Sequence, residues 1–213
     1  LATCYFRGLD DVDAVIGRLA TPRDDGLVDV KATRVPMSVH ARGSGRGKRY
    51  RFVVDGGVDA PDPKHPHAWQ VAPRLDVARM QRGARFLEGT HDFTSLRAAN
   101  CGAESATKTL ASVRVGGPFP LAHAGERFFV EVTGTAFLRK MMRNLVGLLV
   151  EIGAGLRDPD DVPAVLAARD RAAAGLCAPP QGLVLVEVGC SWPDDGSALI
   201  RELRGVLVDV STP

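Results

Sequence analysis

The stretch from 136 to 153, AFLRKMMRNLVGLLVEIG, limits the possible folds of this chain more than any other segment. At 100° per residue its apolar side chains occupy one arc of a helix, whereas four polar side chains share the opposite arc. The apolar set is Leu138, Met141, Met142, Leu145, Val146, Leu148, Leu149 and Ile152, and the polar set is Arg139, Lys140, Arg143 and Asn144. The pattern predicts a helix over residues 137–153 with one buried face. On the pattern alone, the polar arc is a solvated surface.

Gly147 lies within this predicted helix, on the polar side beside Arg143. Glycine in a helix interior costs about 1 kcal/mol relative to alanine. A glycine at such a position indicates that another backbone or a ligand comes close to it. We therefore predict a tight contact on this side of the helix.

Composition and the order of elements predict an α+β fold. With 213 residues and 45% hydrophobic content the chain can bury a full core. Alternating and periodic segments predict strands at 27–35, 48–54, 107–115, 127–133, 182–188 and 200–210, and helices at 75–88, 137–153 and 160–169. The chain has no glycine-rich phosphate loop and no regular βαβ spacing. We therefore expect a mostly antiparallel sheet with helices on one face.

Several classes of protein are disfavoured by simple counts. No apolar run reaches about 18 residues, so no membrane span is predicted. The four cysteines, Cys4, Cys101, Cys177 and Cys190, form no C-x-x-C pair, which argues against a zinc ribbon and favours reduced thiols. The net charge of +2 is too small for the whole surface to attract nucleic acid, so any such attraction depends on local patches.

The strongest basic patch is in the first part of the chain. It contains Arg42, Arg46, Lys48, Arg49 and Arg51, with no acidic residue among them. A strand here places Lys48, Tyr50 and Phe52 on one face, because side chains alternate between the two faces of a strand. Charge alone leaves two interpretations open, a phosphate-binding strand and a solvated loop that enters an edge strand.

Four blocks of the sequence together resemble the tRNA pseudouridine synthase A family. They are VHARGSGRGKRYRF at 39–52, FLEGTHDFTSLRA at 86–98, FLRKMMRNLVG at 137–147 and APPQGLVLVEVG at 178–189. Their order and spacing are those of the family. The resemblance predicts a pseudouridine synthase C-terminal domain over residues 27–190, preceded by a poorly matched segment, 1–26, and followed by a strand or tail, 191–213.

The resemblance implies the pseudouridine synthase fold, here a ferredoxin-like half, and an isomerase that needs no metal or cofactor. Pseudouridine formation breaks the glycosidic bond of uridine and rejoins the sugar to ring carbon five. A catalytic aspartate serves this step in the family, and a guanidinium beside it keeps it ionised. By resemblance, Arg143 has that role. Tyr50 would stack on the base and assist proton movement at ring carbon five.

RNA binding is the second expectation. The family acts on the tRNA anticodon arm as a homodimer, so tRNA and a second copy of the chain are the implied partners. The target uridine must be flipped out of its stem-loop, at a cost of a few kcal/mol. Cations would then hold the flanking phosphates. The clustered candidates are Arg42, Arg46, Lys48, Arg49, Arg139 and Lys140.

One block of the family is missing. Its catalytic aspartate belongs to a G-R-T-D-A-G-V-H-A motif, which does not occur in residues 1–47, and no acidic residue there is assigned as nucleophile. The simplest interpretation is the C-terminal portion of an active synthase, inactive alone, since the chain opens with Leu1. The alternatives are a non-catalytic RNA-binding relative and an α+β assembly subunit that binds an acidic protein. The compartment stays open among cytoplasm, nucleus and organelle.

Overall fold

The computed structural model describes residues 14, 17, 45–59, 63, 65–122 and 125–190. The chain divides into two compact units, residues 1–45 with 190–213 and residues 46–189, and nearly all described residues belong to the second. Arg42, the predicted strands at 27–35 and 200–210 and the segment 191–213 lie outside the described residues, as does 1–26 apart from positions 14 and 17. The domain boundaries expected at 26/27 and 190/191 stay predictions.

Six strands and three helices occur in the described part of the chain. The strands are β1 (Gly45–Gly56), β2 (Trp69–Val71), β3 (Gly89–Asp92), β4 (Thr107–Pro120), β5 (Glu126–Gly134) and β6 (Leu183–Cys190), and the helices are α1 (Val77–Arg85), α2 (Met141–Gly153) and α3 (Val162–Ala168). Single 3-10 turns lie at Thr94–Leu96, Pro159–Asp161, Arg171–Ala174 and Pro180–Gly182. Among these helices none is long and apolar enough to cross a membrane.

The strands form one sheet in the order β2-β1-β5-β4-β3, and β6 also pairs with β1. The β1–β5, β4–β5 and β3–β4 pairs are antiparallel, and the short β1–β2 pair is parallel. The predicted α+β class and mostly antiparallel sheet are therefore confirmed.

The two faces of the sheet differ in chemistry. Alternate side chains of β1 and β5, such as Phe52 and Val130, belong to a single apolar core that also contains residues of all three helices. The intervening side chains lie on the other face, where Arg51 donates to Glu131 at 2.8 Å and its guanidinium stands over the Phe129 ring. In the part of the chain that the structure describes, the helices therefore cover the apolar face, as expected, because period-two alternation puts the apolar set on that face.

Strand β4 is longer than the predicted strand and contains irregularities of register. One shift lies between Leu110 and Ser112, where an extra residue separates the paired positions. Leu110, Val113 and Val115 all belong to the core although simple alternation would put Leu110 opposite to the other two. A one-residue bulge therefore keeps the apolar side chains of the strand on the helix side.

The predicted helix at 137–153 begins four residues later than expected, at Met141. Lys140 has left-handed backbone angles, with φ 60°. The Arg139 carbonyl accepts the Ala98 backbone N–H at 2.9 Å, which ties the preceding turn to another loop. Arg139 and Lys140 thus stand before the helix and are not part of its polar arc. The two predicted members that remain on the helix are Arg143 and Asn144.

The solvated polar arc that the pattern alone indicates is not found at Asn144. Its side chain is fully buried, and its Nδ2 donates to the Leu96 carbonyl at 2.7 Å. Arg143 is only half buried. The side of α2 that carries these two residues is covered because loops pack against it in addition to the sheet. Periodicity marks the apolar stripe of a helix but not what covers its other side.

The predicted helix at 160–169 is a 3-10 turn followed by the shorter α3. Asp158 begins the turn: its side chain accepts the Asp160 N–H, and the Asp161 side chain accepts the Asp158 N–H in return. Arg169, with φ 50°, follows the last residue of α3. Proline and aspartate residues at the start of a helix favour such tight first turns.

Candidate functional site

Tyr50 lies in β1 on the face of the sheet that the helices cover. Its ring is half buried beside the core and meets Phe137 edge to face, with the centroids 4.9 Å apart. Burial raises the pKa of the Tyr50 hydroxyl above its ordinary value of 10.0. A tyrosine of ordinary pKa is already protonated at neutral pH, and a raised pKa favours that state further, so the Tyr50 hydroxyl can donate a hydrogen bond.

Arg143 is the third residue of α2 and is attached to the segment that precedes β6. Its Nε donates to the Ala178 carbonyl at 2.5 Å, and its own carbonyl accepts the Ala178 N–H at 3.1 Å. Within the described residues no group pairs with Nη1 or Nη2. The guanidinium is therefore held at its base while its two terminal nitrogens stay available to a carboxylate, which binds such a fork well.

The tight contact predicted at Gly147 is confirmed, and the neighbour is a backbone. A Cβ built on Gly147 would overlap the Leu176 carbonyl oxygen and carbonyl carbon. Leu176 precedes Ala178 by two residues, so the same segment touches the helix at 147 and at 143. Glycine at 147 lets this segment lie against the helix.

Substitution of Gly147 tests this contact. In an exposed helix, Gly→Ala stabilises by about 1 kcal/mol. Here we expect Gly147→Ala to lower the free energy of unfolding by about 1–3 kcal/mol, because a backbone carbonyl cannot move aside cheaply. Urea denaturation followed by circular dichroism measures the difference.

Gly83 in α1 is a matched control. The nearest atom to a Cβ built there is Ile152 Cδ1 at 2.9 Å, the mobile end of a side chain. Gly83→Ala should change the free energy of unfolding by less than about 1 kcal/mol, since helix propensity offsets the crowding. Equal effects in the two variants would contradict the backbone contact at Gly147.

The segment between Arg143 and β6 also reaches β1. A Cβ on Gly182 would overlap the Phe52 ring and the Val53 carbonyl. Phe52 shares its sheet face with Tyr50. One segment, 178–182, thus contacts Arg143 at its start and the Tyr50 strand at its end. The Arg143 and Tyr50 side chains, both among the described residues, form no hydrogen bond or ring contact with each other.

The predicted phosphate-binding residues fall into two groups. Arg46 and Lys48 are exposed at the start of β1, and Arg139 and Lys140 are exposed before α2. Lys48 pairs in register with Gly134, the last residue of β5, from which the chain continues to Arg139 and Lys140. Arg46 and Lys48 thus lie at the same end of the β1–β5 pair as the point where the chain leaves β5 toward Arg139 and Lys140.

Arg49 has a different environment from its neighbours. It lies on the face of the sheet away from the helices, where Nη2 is 2.7 Å from Glu187 and Nη1 is 3.8 Å from Glu131. Two carboxylates thus share its charge. A phosphate contact by Arg49 would have to compete with them, which does not apply to Lys48.

Sequence patterns missed two buried polar side chains. Glu151 is 9% exposed, and its side chain accepts the Leu176 N–H at 2.8 Å. Asp55 is 1% exposed and forms a two-pronged pair with Arg127. The signal for Glu151 was present, since residues 143, 147 and 151 recur every four positions along one side of a helix.

No group of three His, Cys, Asp or Glu side chains gathers as metal ligands in the part of the chain that the structure describes. Cys101 and Cys177 are free thiols.

Known proteins match this chain over the same region. The model of a family described as tRNA pseudouridine synthase matches residues 84–189. A tRNA pseudouridine synthase A of Geotalea uraniireducens is 39% identical over 167 residues, which cover 78% of this chain and 65% of that protein. Those of Myxococcus xanthus and Pseudomonas aeruginosa are 42% and 43% identical over 78% and 72% of this chain, or 60% and 52% of their own lengths.

The fold and the matched segment, which contains both Arg143 and Gly147, define a pseudouridine synthase domain. The chain belongs to the tRNA pseudouridine synthase A family. It spans less than two thirds of the length of these relatives, between 52% and 65%. The family predicted from the four sequence blocks is confirmed.

Proposed function

We propose that this chain supplies Arg143 and Tyr50 to an active site that isomerises uridine to pseudouridine in tRNA. The observation that supports it most is the state of Arg143, whose Nε is anchored to Ala178 while Nη1 and Nη2 have no partner among the described residues. A half-buried guanidinium of this kind is suited to a carboxylate that must stay ionised. The names of the matched relatives support tRNA as the substrate.

In the proposed reaction the bond between C1′ of the ribose and N1 of the base breaks, and a bond between C1′ and C5 forms. The proton on C5 leaves, and N1 acquires one. A carboxylate stabilises the sugar or attacks it while the base turns. Arg143 keeps that carboxylate ionised, and because its Nε is already fixed, little reorganisation accompanies the reaction.

Tyr50 is proposed to contact the base. Its ring can stack on the uracil, and its hydroxyl, which is protonated at neutral pH, can exchange a proton near C5. The edge-to-face contact with Phe137 limits the orientations of the ring. Tyr50 is therefore held in place before the base arrives.

The reaction needs a carboxylate opposite Arg143. The R-T-D-A-G string that carries it in the family does not occur in the 213 residues. We propose that a polypeptide segment outside this sequence supplies the carboxylate. The missing string is equally compatible with an alternative, a non-catalytic RNA-binding relative. Sequencing the coding region upstream of Leu1 for an in-frame R-T-D-A-G string separates the two.

The activity itself is tested with the natural full-length protein and tRNA that contains uridine tritiated at C5. Each isomerisation releases the C5 tritium to water, so counts in the aqueous fraction report turnover. Release of tritium supports the proposed function. Salt-sensitive tRNA binding without tritium release would support the non-catalytic relative. Absence of both tritium release and tRNA binding would contradict an RNA function.

The salt dependence of tRNA binding tests the phosphate contacts. The logarithm of the tRNA association constant falls linearly with the logarithm of the salt concentration. We expect Lys48→Ala to make this negative slope shallower by about 0.7–0.9, the value for one phosphate contact. Arg49→Ala should change the slope by less, because Glu187 and Glu131 already share its charge. Filter binding at four salt concentrations measures both. A larger change for Arg49 than for Lys48 would contradict this assignment.

The proposed partner in the assembly is a second copy of the chain, with the anticodon arm of tRNA lying across both subunits. This proposal rests on the family resemblance. Light scattering on the full-length protein at micromolar concentration should give twice the subunit mass. A monomer at that concentration would contradict it.

A further inference from the structure

Three positions on one side of α2 hold a single extended segment. Residues 143, 147 and 151 lie four apart, so they form a ridge along the helix, and the segment 175–178 runs past it in the opposite direction. Glu151 accepts the Leu176 N–H at 2.8 Å, Gly147 faces the Leu176 carbonyl, and Arg143 binds both backbone groups of Ala178. The segment is thus attached at both ends of the ridge.

Glu151 is an unusual residue for this place. It is 9% exposed in a helix whose neighbouring side chains are apolar, and a buried carboxylate costs free energy unless it is paired. Its Oε2 accepts from Arg157 Nε at 2.6 Å, and its Oε1 accepts from Leu176 N. Arg157 thus offsets the charge, and the second oxygen is directed to the backbone of the segment.

The neighbouring glycine supports the same arrangement. Gly175 has φ 67°, and a Cβ there would overlap the Glu151 carboxylate. Its carbonyl accepts Arg171 Nη1 at 2.9 Å. The backbone beside Leu176 therefore bends around the Glu151 carboxylate, and this bend fixes the path of residues 176–178 along α2.

We propose that Glu151 is a positioning residue for Arg143. By holding the Leu176 N–H it sets the place of the Ala178 carbonyl, and this carbonyl determines the direction of Arg143 Nε and hence of the two terminal nitrogens. Glu151 itself lies about 12 Å along the helix from Arg143, at 1.5 Å rise per residue. The expected effect of Glu151 on turnover rests on the proposed function, whereas its effect on the position of Arg143 does not.

Four variants of the full-length protein separate the contacts. Glu151→Leu removes the acceptor for Leu176 N–H, and Glu151→Asp withdraws it by one methylene. Glu151→Gln keeps a carbonyl oxygen for that N–H, and Arg157→Gln removes only the ion pair. The last two are matched controls, since they disturb the charge while the backbone contact stays.

The first measurement needs no activity. In protein labelled with ¹⁵N-arginine, the Arg143 Nε–H should exchange slowly with water in the unaltered protein, because it is donated to Ala178. We expect this protection to stay in Glu151→Gln and Arg157→Gln and to fall at least about tenfold in Glu151→Leu. If Glu151→Leu does not fold, Glu151→Asp carries the test, with a smaller loss expected. Unchanged protection in a folded Leu or Asp variant overturns the proposal.

The second measurement is turnover on tRNA under saturating conditions. A small displacement of a group at the reacting centre can lower a rate by about 100-fold. We expect kcat of Glu151→Leu to fall about 10–100-fold with the tRNA Kd within about twofold, and kcat of Glu151→Gln to stay within about threefold. An equal loss in the Leu and Gln variants would overturn the role of the backbone contact. Absence of turnover in the unaltered protein would contradict the proposed function, while the exchange measurement still decides the role of Glu151.

Discussion

Arg143→Ala should reduce kcat on tRNA by about 100–1000-fold or more, the effect of removing one preorganised charged donor from an active site. The tRNA Kd should stay within about threefold, because the proposed partner of this guanidinium is a carboxylate of the enzyme and not the RNA backbone. Steady-state tritium release at saturating tRNA measures kcat, and filter binding measures the affinity.

Arg143→Lys should be nearly as inactive. Lysine keeps the positive charge but has no Nε–H to donate to Ala178 and no planar fork for a carboxylate. Arg82→Ala is the matched control, since Arg82 is an exposed helical arginine whose partner, Asp160, is also exposed. Normal turnover in Arg143→Ala would remove Arg143 from the site. A parallel loss of affinity and rate would make it an RNA-binding residue.

Arg127→Met should lower the free energy of unfolding by about 2–4 kcal/mol. Removing one partner of a buried ion pair costs about 3–5 kcal/mol because it leaves a buried charge alone, and Arg127 is still 23% exposed, which reduces the value. Asp55, its partner, is 1% exposed, and the hydrogen bond to Asp55 raises the pKa of Arg127. Urea denaturation at pH 7 measures the loss.

The exposed pair provides the comparison for this prediction. Arg82 and Asp160 have side chains that are 61% and 50% exposed, and such pairs contribute about 0–1 kcal/mol. Arg82→Met should therefore have little effect. Adding Asp55→Asn to Arg127→Met should recover part of the stability, because the isolated charge is then gone. Similar losses for the buried and the exposed pair would contradict the difference in burial.

Periodicity was sufficient for most of the described elements. Strand β1 and the β4–β5 pair follow from alternation, and α1 and α2 follow from apolar spacing, because these patterns record which side of an element is buried. The first and last residues of the helices and strands were predicted less well. The turn before α2 depends on the Arg139 carbonyl being taken by Ala98, a contact between residues far apart in sequence that no local pattern contains.

The candidate site shows the same division. Arg143 and Tyr50 were found through motifs, and Gly147 through the cost of glycine in a helix, which predicted a close neighbour without saying which one. The structure identified that neighbour as the Leu176 backbone. Glu151 was not found, although its spacing was visible, because a single acidic residue on a helix is ordinarily solvated.

The amino-acid sequence alone determined the family, the α+β class and the two side chains proposed for catalysis, since these depend on residue identity and on short-range periodicity. Only the tertiary structure decided that Asn144 is buried, that Arg49 is shared by two glutamates and that Arg143 is anchored through Ala178. The physical reason is that burial and pairing are properties of groups brought together from distant parts of the chain.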